Sequence, residues 1–256
     1  MKLSVLTLFP ELIETVDGSS ITGRAQTAGL FELQTVQIRD FAVNRYGQVD
    51  DRCYGGGTGM LMMAEPIYQA WHHAAGEETA REKTRTIYLS PRGALFNQSK
   101  ARQLSSCYSH LILLCGHYEG VDQRVLDELV DEELSIGDYV LTGGELAACV
   151  VIDALLRLVP GVLPDESAYM RESHMAGLLE YPQYTRPAVW HERSVPDILM
   201  SGHQANIENW QQTRSELETL RRRPDLVSAR RFSREEWLAM IKAYREESKK
   251  TDGKEG

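Results

Sequence analysis

Two glycine-punctuated loops hold the residues best placed for ligand chemistry. They are Cys115-Gly116-His117-Tyr118-Glu119-Gly120-Val121-Asp122 and Ser135-Ile136-Gly137-Asp138-Tyr139-Val140-Leu141-Thr142-Gly143-Gly144-Glu145. Glycine has no Cβ, so its backbone N–H and C=O can approach a bound molecule closely. Each loop follows an apolar or half-apolar run and leads into helix-like sequence. This arrangement predicts one pocket built from adjacent strand ends; taken singly, each glycine would need to be no more than a tight turn. A third glycine run, Gly55-Gly56-Gly57-Thr58-Gly59, lacks the Gly-Lys-Ser/Thr ending of a phosphate-binding loop. The first strand ends in Phe9-Pro10-Glu11 with no glycine, which argues against a dinucleotide fingerprint. Cys53, Cys107, Cys115 and Cys149 form no CxxC pair and have no His at metal-ligand spacing, so they read as free thiols in a reducing cytosol.

The elements that must position these loops alternate between strand and helix patterns. Leu3–Phe9 reads as a buried strand stopped by Pro10, too short for a signal segment. Gln34–Ile38 is a candidate second strand. Pro66–Ala75 has helical spacing, and Thr84–Leu89 is a strand ending at Ser90-Pro91-Arg92-Gly93. Asn97 caps a helix to about Leu104. Leu111–Leu114 is a short apolar strand of the kind a parallel sheet buries. Asp122–Val130 reads as a helix, Leu134–Leu141 surrounds a strand, and Glu145–Leu158 is a strong helix with Ala147, Val151, Ala154 and Leu158 along one stripe. This alternation predicts an α/β fold with a parallel sheet over residues 1–161.

The pattern stops at Pro160-Gly161. Residues 162–176, with Pro164, Asp165, Glu166, Ser167 and Arg171, read as a flexible linker, and residues 177–256 as a small all-helical domain. Tyr181–Val189 is expected to be extended and Asp197–Leu220 helical. Ser233-Arg234-Glu235-Glu236 is a capping box, and Glu246–Gly256 a charged, frayed tail.

Charge follows this division. The chain of 256 residues has a formal net charge of −9, unfavourable for nucleic acid unless cations are concentrated. They are: Arg214 to Lys250 holds eleven Lys and Arg against seven Asp and Glu, about +4, with runs at Arg221-Arg222-Arg223 and Arg230-Arg231. No run approaches the roughly 18 apolar residues of a membrane span.

The motif order resembles the bacterial tRNA (guanine-N1)-methyltransferases of the SPOUT class, over nearly the whole length. The resemblance runs through Leu8-Phe9-Pro10, Asp50-Asp51-Arg52, Tyr54-Gly55-Gly56-Gly57-x-Gly59-Met60, Tyr88-Leu89-Ser90-Pro91, Cys115-Gly116-x-Tyr118-Glu119-Gly120, Ser135 to Leu141, Gly143-Gly144-Glu145, and Gly177-Leu178-Leu179-x-Tyr181-Pro182-x-Tyr184-Thr185-Arg186-Pro187. It implies a trefoil-knotted parallel-sheet domain that binds S-adenosylmethionine, followed by a helical tRNA-binding domain. It implies a cytoplasmic homodimer whose sites combine the cofactor pocket of one subunit with the linker and helical domain of the other. Its implied substrate is the guanosine just 3′ of the anticodon, at tRNA position 37. Cofactor contacts implied by the matching motifs are Tyr88, Leu89, Ser90, Pro91, Gly116, Tyr118, Glu119, Gly120, Ile136, Gly137, Asp138, Tyr139, Val140, Leu141, Gly143 and Gly144, with Glu180 facing the methionine end.

Methylating guanine N1 requires a general base for its proton and favours a cation near O6, where negative charge spreads. The positions matching the family's base and arginine are Glu172 and Arg157. Glu172 departs from the family's more frequent Asp, keeping the carboxylate on a longer arm. Without the resemblance, Glu172 reads as an exposed loop acid and Arg157 as a snorkelling helix residue. His117 stands where many relatives have Arg and is given no proton-transfer role. The resemblance also implies a magnesium requirement, but no oxygen-ligand cluster identifies a metal site. Two other readings are a ribose 2′-O-methyltransferase of the same fold, and a non-catalytic tRNA-binding protein retaining the pocket.

Overall fold

A computed structural model describes residues 1–56, 59–76, 82–163, 169 and 172–252, with side chains described only to 246 in the last stretch. Gly57 and Thr58 of the glycine run, the linker residues 164–168 and 170–171, and the tail residues 253–256 lie outside the described residues. The chain divides into two compact units, Met1–Glu166 and Ser167–Gly256.

The first unit is an α/β structure around a five-stranded sheet. Its strands are β1 (Lys2–Thr7), β2 (Glu32–Gln37), β5 (Thr84–Leu95), β6 (His110–Cys115) and β7 (Glu132–Ser135), in the order β2-β1-β6-β5-β7. Every pairing in this sheet is parallel. Two short strands, β3 (Asp50–Arg52) and β4 (Met60–Met62), form a separate antiparallel pair.

Parallel strands covered on both faces must be apolar on both faces. The central strand β6 obeys this, being buried at all six positions. Its side chains alternate with the pleat, period two. Leu111, Leu113 and Cys115 enter one core cluster, Ile112 and Leu114 the other. The first face is covered by α1 (Pro10–Asp17), α2 (Ser20–Thr27), α4 (Gln98–Cys107) and α6 (Glu145–Leu156). The second is covered by α3 (Ala64–Ala75) and α5 (Gln123–Leu129). The helix starts follow local chemistry. Pro10, whose missing N–H costs nothing there, opens α1. The Asn97 side chain accepts from Lys100 N at 2.9 Å at the start of α4.

Three details depart from expectation. Strand β5 does not stop at Ser90-Pro91; it resumes beside β7 after a register break between Leu89 and Ala94. The break places Pro91, which has no N–H to donate, where pairing is interrupted. Gly93 then lies so close to the Glu133 backbone that any Cβ would overlap it. Strand β7 occupies only the first part of the stretch around Leu134–Leu141, and residues 136–144 form a loop. Helix α6 buries a band broader than one stripe, including Ala148, Cys149, Ile152, Leu155 and Leu156.

The second unit contains α7 (Asp197–Met200), α8 (Gln204–Arg222) and α9 (Arg234–Asp252). A small core of Leu217, Met240 and Ala243 joins α8 to α9. The capping box forms: Ser233 N donates to Glu236 Oε2 at 2.6 Å, and Glu236 N to Ser233 Oγ at 3.1 Å. This unit is not all-helical. Strands β8 (Val189–Trp190) and β9 (Arg193–Ser194) make a hairpin turned by His191 and Glu192, at φ 44° and 63°. Non-glycine residues in that region give no sequence signal for such a turn. Helix α9 continues through Glu246 to Asp252. Its Glu, Lys and Arg are good helix formers.

Candidate functional site

Three chain segments meet at the carboxyl ends of β5, β6 and β7. They are Tyr88–Arg92, Gly116–Val121 and Leu134–Gly144, and they line a cleft of about 380 Å³. In a parallel sheet such strand ends open outward together, and ligands bind in the crevice outside them. All the residues named above as cofactor contacts line this cleft except Asp138 and Glu180. Asp138 is exposed and is not among the residues lining the cleft. Glu180 belongs to the second unit, where its N–H donates to Ser173 Oγ at 3.0 Å and its carboxylate accepts from Gln183 at 2.9 Å.

The walls are close-fitted. A Cβ at Gly116 would lie 2.7 Å from the Tyr88 hydroxyl, so only glycine lets the loop pass over that ring. Gly120 sits at φ +117°, a conformation that side chains avoid. Burial, then the Glu133 carboxylate, raises the Tyr88 phenol above its ordinary range and keeps it protonated. The Glu119 side chain rests against Gly59, where any Cβ would overlap it. Strand β4 braces the same loop: Glu119 N donates to Met60 O, Met62 N to Gly120 O and Asp122 N to Met62 O, each at 3.0 Å. Gly59, at the end of the third glycine run, and Met60 and Met62 after it therefore support the loop that walls the pocket.

Sequence reasoning also missed a buried polar node beneath the cleft. Glu145, the first residue of α6, is 3% exposed. Its Oε1 accepts from Thr7 Oγ1 at 2.6 Å, and its Oε2 lies 2.7 Å from His117 Nε2. No spacing rule links residues 7, 117 and 145; the only sequence signal was an acid directly after Gly143-Gly144. Burial, then Glu145, pushes the Cys115 thiol far up, and burial pushes the Cys149 thiol up to about 12, so neither is a ready nucleophile.

The two residues proposed for chemistry fall in different units. Arg157 is the half-buried C-cap of α6 in the first. Glu172, in the second, lines a cleft of about 380 Å³ with Leu178, Tyr181, Asn209 and Gln212.

Comparison with known proteins decides the family. Residues 1–229 match the family model described as tRNA (Guanine-1)-methyltransferase TrmD. This chain belongs to that family. It is 54% identical over 228 residues to a tRNA (guanine-N(1)-)-methyltransferase of Ruminiclostridium cellulolyticum, covering 89% of this chain and 97% of the relative. It is 48% identical over 248 residues to the protein so named in Alkaliphilus metalliredigens, covering 96% and 100%. Its likeness to the one in Bacillus cereus is 46% over 244 residues, covering 94% and 99%.

The family match covers the first unit entirely and most of the second. Among the described residues, no group of three or more His, Cys, Asp or Glu could hold a metal ion. Among the same residues no helix is long and apolar enough to cross a membrane.

Proposed function

We propose that this chain transfers a methyl group from S-adenosylmethionine to N1 of the guanosine at tRNA position 37, just 3′ of the anticodon. The observation that carries this reading is the glycine-walled cleft at the ends of β5, β6 and β7, in a chain of this family. The residues present suit the donor. Glycines admit its adenosine against backbone N–H and C=O groups, and Glu119 offers a carboxylate to ribose hydroxyls. Tyr88, Leu89, Ser90 and Pro91 supply one wall, Ile136, Gly137, Tyr139, Val140 and Leu141 another. Glu180 provides the carboxylate for the methionine end. Bound there, the donor supplies an electrophilic methyl on sulfonium.

The chain's own residues must then prepare guanine N1. Glu172 takes the N1 proton, and the freed nitrogen lone pair forms the new N–CH3 bond as the S–CH3 bond breaks toward sulfur. Arg157 offsets the negative charge that spreads to O6 as the proton leaves. The target base must be unstacked for its Watson–Crick edge to be read. The steps assigned to the chain use no metal ligand; a magnesium requirement stands as an expectation of the family without a site.

The first unit is read as a SPOUT domain whose chain is knotted. The loop after β7 returns beside the loop after β6, with Gly144 N donating to Gly116 O at 3.0 Å, and α6 then packs in the cluster shared with β1 and β6. A chain threaded through its own loops would make those contacts. The second unit, with residues 162–176 as linker, is read as the tRNA-binding domain. The enzyme is read as a cytoplasmic homodimer, consistent with exposed Leu146 and Val150 on α6 and Val16 on α1.

The test is transfer of labelled methyl to tRNA transcripts. Label passes to a transcript with guanosine at position 37 and not to one with adenosine there. Binding of tRNA without transfer would overturn the reading. Glu172→Gln abolishes transfer and leaves donor binding intact; near-normal turnover removes Glu172 from the base role.

A further inference from the structure

Glu145 is a carboxylate taken almost wholly out of water. Its Oε2 lies within hydrogen-bond distance of His117, whose side chain is 14% exposed. A buried carboxylate persists when hydrogen bonds satisfy it. Here each oxygen accepts one, Oε1 from Thr7 Oγ1 at 2.6 Å and Oε2 from His117 Nε2 at 2.7 Å. The start of α6 adds a favourable field for a negative charge.

The partners come from three places. Thr7 is the last residue of β1 and is fully buried. Its Oγ1 also accepts from Phe9 N at 2.9 Å, and the Phe9 ring sits 5.0 Å from that of His117. His117 lies in the loop after β6, and Glu145 closes the loop after β7. Backbone contacts follow the same line: His117 bridges to Gly143, and a Cβ on Gly143 would overlap the imidazole. One carboxylate thus fastens both pocket loops to the end of β1.

We propose that Glu145 is a positioning residue for methyl-donor binding: through Thr7 and His117 it holds the two glycine loops at the separation the donor requires. It touches neither the methyl nor the guanine. The inference rests on the cleft being the S-adenosylmethionine site. Because the clamp sets loop spacing, its loss falls on donor affinity, while the chemical step and tRNA recognition keep their own residues.

The experiment compares wild type, His117→Ala, His117→Arg, Glu145→Gln and the double variant E145Q/H117A. It measures S-adenosylmethionine affinity by calorimetry, and kcat and KM for each substrate. A hydrogen bond to a charged group is worth roughly 1.5–3 kcal/mol, which corresponds to about a 10- to 100-fold change in Kd. H117A and E145Q each weaken donor binding by about that factor. Their kcat at saturation and KM for tRNA stay within about twofold. H117R, which restores a donor to the carboxylate, recovers most of the affinity. The double variant is no weaker than the worse single one, since either change opens the same clamp. Unchanged donor affinity in H117A, additive losses in the double variant, or equal losses for donor and tRNA would each overturn the proposal. If E145Q fails to fold, the H117A and H117R pair decides alone. A wild-type chain that binds no S-adenosylmethionine overturns the proposed function itself; one that binds it as well as H117A does overturns only the clamp.

Discussion

Asp17 ends α1 with its side chain 1% exposed, and its Oδ2 has no hydrogen-bond partner among the described residues. Burial, then the nearby Asp153 carboxylate, raises it from 3.8 to about 7. A raised acid binds its proton more tightly in the folded chain, so its stability is present below pH 3.8 and is lost as pH rises to about 7. His110 runs the other way. Burial, then Lys2, lowers it from 6.5 to about 4 against the opposing pull of Glu32, while it bonds Ser4 Oγ at 2.9 Å. Its stability is present above 6.5 and is lost as pH falls toward 4. The two slopes oppose each other between about pH 4 and 6.5. Asp17→Asn removes one of them. Its gain over wild type grows across that window, reaching about 4 kcal/mol above pH 7. Urea denaturation at several pH values checks this, and a pH-independent difference would refute it. None of this was legible beforehand, because burial of Asp17 and His110 depends on which helix and strand cover them. The site was more legible: glycines mark where backbone must approach something. The Thr7–His117–Glu145 node was not, since it joins residues that only the folded sheet brings together. Arg157 and Glu172 entered through family resemblance alone; their own spacing identifies nothing.

At the scale of elements, the tight places are where segments cross. Gly93 lies on the Glu133 backbone, and a Cβ on Gly144 would come within 2.7 Å of Cys115 Cα. Backbone cannot move aside as a flexible side chain can, so Gly93→Ala and Gly144→Ala each destabilise the first unit, by about 1–3 kcal/mol. Gly144→Ala also weakens donor binding, because it pushes apart the segments that wall the cleft. Thermal melts with and without S-adenosylmethionine separate the two effects, and wild-type behaviour of either variant would show the crossing to be slack. In the second unit, Ser233→Ala removes one half of the reciprocal cap at the start of α9. The expected loss is about 1 kcal/mol, without effect on donor affinity. Strand and helix types were legible because a parallel sheet demands unbroken apolar runs and α6 demands a long apolar face. The end of β5 was misjudged because Pro91 reads locally as a stop, whereas pairing with β7 resumes after it. The β8–β9 hairpin was missed because its left-handed turn uses His191 and Glu192 rather than Asn-Gly.

Across the whole molecule, charge is divided unevenly: the segment from Arg214 to Lys250 is about +4 in a chain of −9. The structure shifts attention within that segment. The arginine runs obvious in sequence are largely committed to internal partners. Arg222 pairs with Glu218 at 2.6 Å, Arg223 with Asp225 at 2.7 Å, and Arg230 with Glu216 at 2.6 Å. Arg231, Arg234, Lys242 and Arg245 are exposed and make no ion pair among the described residues. They lie on and beside α9, whose surface also exposes Trp237 at 46%. Exposed cations that can meet phosphates, beside an exposed indole, are what an RNA surface needs. Phosphate contacts release counterions, so affinity for tRNA falls with salt, by roughly 0.7–0.9 in log–log slope per contact. The variant R231Q/R234Q/K242Q/R245Q therefore loses about tenfold or more in tRNA affinity at 0.1 M salt, and its slope falls by about two to three. The variant R222Q/R223Q, whose arginines already face carboxylates, changes affinity by less than about twofold. Filter binding across a salt series reads both. If the slope instead fell equally in the two variants, net charge alone would govern the encounter, and α9 would have no special place in it.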